Sequence, residues 1–242
     1  MRRMICMMLF CSVLTILFIQ HPQALATREK MLEFFPEEFL NNLTEEEYNH
    51  YATLDFDNAT TEEIVVPFDE NDNPTRSTPY STNYKTLNVT AIPYDSINYA
   101  ITLTLNWKSM PATRSYDVIA LRFSNMAMSN GTQSGHQNYS GGSVYYSYNG
   151  TNMKLASNGY GISMNLVNST GISYLQCFTT VNAAKTNSTS TIYGAYEHAV
   201  TNVSLAQSKD YTISSGGMGH VINFSSSVWN YYDNMNGVSI SV

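Results

Sequence analysis

Residues 143–181 read SVYYSYNGTNMKLASNGYGISMNLVNSTGISYLQCFTTV. Asn149-Gly150 is flanked by extended runs, and Asn-Gly between alternating residues is the strongest short-range hairpin signal. Asn158-Gly159 repeats it, and Asn168 to Gly171 supplies a third turn. The spacing predicts four strands in an up-and-down meander.

The pattern extends in both directions. In AITLTLNW, Ile101, Leu103, Leu105 and Trp107 alternate with Thr102, Thr104 and Asn106, the mark of a half-buried strand with Trp107 on its core side. SYDVIALRF is apolar on both faces, as a central strand would be. STIYGAYEHAV, GHVINF and GVSISV add three more. Short strands joined by Gly/Asn turns predict an all-β body, an antiparallel β-sandwich or barrel-like closure, from residue 84 to 242.

Ahead of the body the period changes. In EFFPEEFLNNL, Pro36 suits the first helical position and Glu37 and Glu38 suit its positive end. Thr44 and Glu47 form a capping box, with Leu43 and Tyr48 placed as a hydrophobic staple. Residues 27–54 therefore read as an acidic short-helix segment, with Leu32, Phe35, Phe39 and Leu43 as one apolar stripe. Residues 55–83 are acidic, proline-punctuated and aperiodic, a linker. Residues 1–26 begin with two arginines, continue with an apolar run too short for the ~20 residues of a membrane span, and end Ala24-Leu25-Ala26. That is the layout of a secretory signal cleaved after Ala26. The expected product is extracellular or cell-wall associated, without a transmembrane segment.

Charge and cysteine narrow the function classes. The formal charge is −7, with fourteen of the nineteen acids in residues 27–74. No cluster of Lys and Arg offers a nucleic-acid footprint. Cys6 and Cys11 leave with the signal, so Cys177 stands alone and no intramolecular disulfide forms. A secreted chain stable on packing alone fits export from a Gram-positive bacterium. The opposite charges of front and body also allow a removable acidic pro-segment.

Catalytic signals are weak. His136, His198, His220 and Cys177 lack metal-ligand spacing, and the oxygen-rich run Asp69–Asn73 breaks the EF-hand pattern at Pro74 and Tyr80. No metal and no cofactor is expected. Glycoside hydrolysis needs two carboxylates, and the body offers only Asp95, Asp117, Glu197, Asp210 and Asp233. Glu197, Asp117 and His198 are the catalytic candidates an extracellular hydrolase of glycans or cell wall would use, though nothing in their spacing selects them. SSGGMGH (214–220) resembles an oxyanion loop only superficially, because glycines before a strand make turns. In the loop 108–116, Arg114 and Asp117 stand where they would pair across a turn, and Arg122 stands inside a buried strand where it needs a partner.

Binding is the leading expectation: a non-catalytic module for a glycan or a cell-surface protein. Tyr145 shares its face with Ser143 and Ser147, which favours exposure. VWNYYDNMNG places Trp229, Tyr231 and Tyr232 beside amides and a carboxylate, the composition of a sugar platform and equally of a plug at the end of a sandwich. The loop 129–142 is long, polar and glycine-rich, as functional loops often are.

Overall fold

The structure, a computed structural model, describes residues 25–41, 43–67, 83–214, 221–233 and 237–242. Three short helices come first: α1 (Arg28–Leu32), α2 (Glu37–Asn41) and α3 (Glu45–Ala52). Strands β1 (Thr60–Pro67), β2 (Asn83–Pro93), β3 (Asn98–Trp107), β4 (Tyr116–Ser124) and β5 (Met126–Met128) follow. Next are β6 (Ser134–Tyr139), β7 (Gly142–Tyr146), β8 (Met153–Ala156), β9 (Gly159–Asn165), β10 (Leu175–Lys185) and β11 (Thr191–Glu197). A last helix α4 (Leu205–Ser208) precedes β12 (Tyr211–Ile213), β13 (Ile222–Phe224) and β14 (Val238–Ser241).

Two antiparallel sheets form a sandwich. The first runs β1-β2-β3-β10-β6-β7, with β5 also on β10, and the second runs β14-β11-β4-β9-β8. Alternation decides what each face carries. Leu103, Leu105, Trp107, Cys177 and Val181 point inward from the first sheet, and Ile119, Leu121, Ile162 and Tyr196 meet them from the second, all buried. Tyr160 crosses this core, its hydroxyl donating to the Thr180 carbonyl at 3.1 Å and lying 2.7 Å from Thr179 Oγ1.

Both outer faces are covered. Ile92, Ala100 and Phe178 on the first sheet are packed under Met31, Phe35, Phe39, Tyr51 and Phe56. The apolar stripe of the front helices thus has its surface, with Met31 buried and Leu32 at 40% exposure in place of the expected order. The Thr44–Glu47 capping box forms as read from sequence. On the second sheet, Val118, Ala120 and Ala195 lie under Val203, Tyr211, Val221 and Tyr232.

Three sequence expectations are corrected. The linker 55–83 is not featureless, because residues 60–67 form β1 and pair antiparallel with β2; residues 68–82 lie outside the described residues. The meander is not continuous. Only β8 and β9 pair as neighbours, whereas the turns at Asn149-Gly150 and Asn168–Gly171 carry the chain from one sheet to the other. A turn signal fixes reversal of direction, not the partner strand. Finally, Ala156 pairs with Gly159, so the hairpin turns on Ser157 and Asn158. Gly159 serves close packing, since a Cβ there would run into the Leu121 carbonyl and come 3.0 Å from Arg122 Cα.

Candidate functional site

A cleft of about 650 Å³ opens where the front helices overhang β6 and β7. Its position follows from local rules. The capping box starts α3, which sends Tyr51 inward and leaves Glu47 and His50 on the cleft side. Phe39 anchors α2 through edge contacts with Tyr51 at 5.2 Å and His136 at 5.4 Å between ring centroids. Opposite His136 in the β6–β7 register stands Tyr145, its ring 4.9 Å away and 60% exposed. The loop before β6 turns at Gly131, whose φ of 94° excludes most side chains. There the Gly131 amide donates to Gln133 Oε1 at 3.0 Å.

Gln133 Nε2, His136 Nδ1 and Asn182 Oδ1 are buried atoms with no hydrogen-bond partner among the described residues, and all three residues line the cleft. The Asn182 side chain engages through its nitrogen, Nδ2, 3.3 Å from His50 Nε2. Gln133 and His136 are 1% and 2% exposed. Burial pushes the His136 pKa down to about 4, so its imidazole is neutral at physiological pH. An orphaned buried polar atom costs ~1–3 kcal/mol. Three of them around one opening form a set of neutral donors and acceptors facing a tyrosine. Glu47 is the one carboxylate among the described lining residues, short of the pair that glycoside hydrolysis requires.

The structure distributes the sequence candidates over three places. Tyr145 lies in the cleft. Trp229 (51% exposed) and Tyr231 belong to a single 3₁₀ turn, Trp229–Tyr231, on the far side of the sandwich. Tyr232 is the plug: it stacks on Phe224 at 3.9 Å between centroids and donates its hydroxyl to the Tyr116 carbonyl at 3.1 Å. Tyr145 and Trp229 therefore do not share one platform.

The catalytic candidates sit in the interior at one end of the sandwich. Asp117, Glu197 and His198 are 0%, 1% and 3% exposed. Asp117 and His198 meet, with His198 Nδ1 2.9 Å from Asp117 Oδ2. The Ala199 amide donates to Asp117 Oδ1 at 2.9 Å, and the Tyr196 hydroxyl donates to Oδ2. Burial, with the Asp117 charge next to it, raises the Tyr196 hydroxyl well above its ordinary range. Asp117 is thus taken, and Arg114 bonds instead to the Ser169 carbonyl at 3.0 Å. Arg122 is 2% exposed, with its guanidinium carbon over the Tyr193 ring, 3.8 Å from the centroid.

Sequence reasoning missed Lys85 and its pairing with Asp233. Lys85 Nζ contacts Asp233 Oδ2 in an ion pair whose side chains are 0% and 8% exposed. The amine lies 5.3 Å from the Trp107 ring centroid and 5.4 Å from that of Tyr196. A lysine in step with the inward residues Leu87 and Val89 was the available signal. No group of three or more His, Cys, Asp or Glu able to hold a metal occurs among the described residues. Cys177 is buried and its thiol pKa is pushed up by burial. His220 and residues 69–73 lie outside the described residues.

No protein-family model matches the chain, and no curated protein matches it. Among solved structures it is similar in part to the KRT10-binding region domain of the pneumococcal serine-rich repeat protein PsrP. That overlap has 11% identity over 57% of this chain and 84% of the other, with a TM-score of 0.36. It is also similar to a collagen-binding domain of a Staphylococcus aureus adhesin, at 16% identity over 53% and 91%, TM-score 0.31. A third likeness is to the collagen-binding subdomain of the Enterococcus faecalis surface protein ACE, at 9% over 59% and 84%, TM-score 0.30. Overlaps this loose carry no argument about what the chain binds.

Proposed function

We propose that the protein is an exported, non-catalytic binding module that holds a glycan in the cleft beneath Tyr145. The observation that carries this reading is the convergence of Gln133 Nε2, His136 Nδ1 and Asn182 Oδ1, buried and unpartnered among the described residues, on one opening beside an exposed aromatic face. Neutral donors and acceptors match hydroxyls, and a tyrosine face stacks on the C–H surface of a sugar ring. A hydrolase centred on Asp117, Glu197 and His198 fits less well, since those side chains are buried and Asp117 and His198 are engaged with each other. A removable pro-segment also fits less well, because the front part supplies an edge strand and the cover over Phe178. Export rests on residues 1–26, of which 1–24 lie outside the described residues; no helix among the described residues is long and apolar enough to cross a membrane.

The test is retention on insoluble glycans, peptidoglycan included, by wild-type protein and by Tyr145→Ala and Trp229→Ala variants. Loss of at least tenfold in affinity for Tyr145→Ala, with Trp229→Ala unchanged, supports the reading. Wild-type protein that is retained on no glycan overturns it and leaves a protein partner as the alternative.

A further inference from the structure

The buried pair Lys85–Asp233 is placed for more than charge pairing. Lys85 belongs to β2 of the first sheet, and Asp233 belongs to the segment leading to β14 of the second. They are 148 residues apart in sequence. A lysine ammonium and a carboxylate shut away from water are costly to keep as ions. The carboxylate is also fixed in one orientation. The His198 amide donates to Oδ1 at 3.0 Å, while the Asp233 amide donates to the His198 carbonyl at 3.0 Å. Oδ2 is left facing the amine. Asp117 holds the His198 ring from the other side, so the residue that clamps Asp233 is itself clamped.

We infer that Lys85 and Asp233 condense to an intramolecular amide cross-link. The ammonium passes one proton to Oδ2, leaving a neutral amine beside a carboxylic acid. The Nζ lone pair then attacks Cγ. Charge develops on Oδ1, where the His198 amide already donates, the arrangement that stabilises an oxyanion. Nitrogen gives a second proton to the Oδ2 hydroxyl, the Cγ–Oδ2 bond breaks, and one water leaves. The Nζ–Cγ bond is made, nothing is oxidised or reduced, and no co-reactant is consumed. Two buried ions become one neutral amide, the water escapes to solvent, and fixed proximity replaces an encounter in solution. The cross-link ties the two sheets covalently in a chain whose one cysteine among the described residues is unpaired.

The experiment is peptide mapping of the freshly purified full chain by tandem mass spectrometry after denaturation and digestion with trypsin and a second protease. The expected result is a branched peptide joining Lys85 to Asp233, lighter than the sum of its two parts by one water, with no tryptic cut after Lys85. Lys85→Arg and Asp233→Ala variants should show neither the branch nor the water loss. Recovery of Lys85 and Asp233 only in separate linear peptides of full calculated mass overturns the inference. So does a water loss at Asp233 that hydroxylamine reverses while Lys85 stays in a linear peptide, because that marks a succinimide. The wild-type digest decides the matter even if a variant fails to fold.

Discussion

His198 Nδ1 and Asp117 Oδ2 lie 2.9 Å apart inside the sandwich, although 81 residues separate them in the chain. The same carboxylate also accepts the Ala199 amide and the Tyr196 hydroxyl. Removing it strands three donors in a buried site. Asp117→Ala should therefore lower the unfolding free energy by about 3–5 kcal/mol, the usual cost of breaking a buried pair from one side. Urea denaturation followed by tryptophan fluorescence measures this, and a loss below ~1 kcal/mol would show the network to be marginal.

The front helices should behave as part of the folded unit. Phe39 is 2% exposed and meets Tyr51, His136 and Phe178. Phe39→Ala is expected to cost about 3–5 kcal/mol. Tyr145→Ala, at the rim of the same cleft, should stay within about 0.5 kcal/mol of wild type. Equal stabilities of the two variants in a thermal melt would mean that the helices do not dock.

Stability should fall in mild acid through His136. Burial holds its folded-state pKa at about 4, against 6.5 for the free side chain. Between these values the unfolded chain carries the extra proton, so stability is complete above pH 6.5 and declines as pH drops toward 4. A His136→Gln variant should show a smaller decline over that window in urea midpoints measured at several pH values. An identical slope would remove His136 from the acid response.

Packing, rather than turn geometry, should govern Gly159. A methyl group there meets main-chain atoms of Leu121 and Arg122, which cannot step aside as a flexible side chain would. Gly159→Ala is expected to destabilise by ~1–3 kcal/mol, read from chemical denaturation. Full stability in the variant would show that β4 and β9 can separate slightly at no cost.

What could be read from the sequence was what neighbours along the chain decide. The Thr44 capping box, the alternation from Ile101 to Trp107, the hairpin near Asn158 and the burial of Cys177 all depend on residues a few positions apart. Asn149-Gly150 was legible as a turn but not as a crossing between sheets, since the strand that pairs with β7 lies before it in the chain. Strand β1 was hidden by its own surface. Thr61, Glu62 and Glu63 are exposed and look like solvated linker, although charge on an edge strand is how a sheet resists pairing with another chain. The cleft was half legible: Tyr145 followed from its serine neighbours, but Gln133 and Asn182 look like ordinary loop and strand amides until helix α3 is set beside them. Lys85 and Asp233 escaped because no local rule connects residues so far apart.

The interleaving of the two sheets bears on when the chain can fold as it is made. Asn106 on β3 waits for Gln176 on β10, 70 residues further on, and β4 waits for both β9 and β11. Contacts so distant in sequence are slow to form. Until most of the chain is present, the inner face of β2 and β3, with Leu87, Val89, Leu103 and Leu105, stays open to water. A chain still being made therefore commits to its folded shape late, when β10 and β11 arrive and both sheets close together.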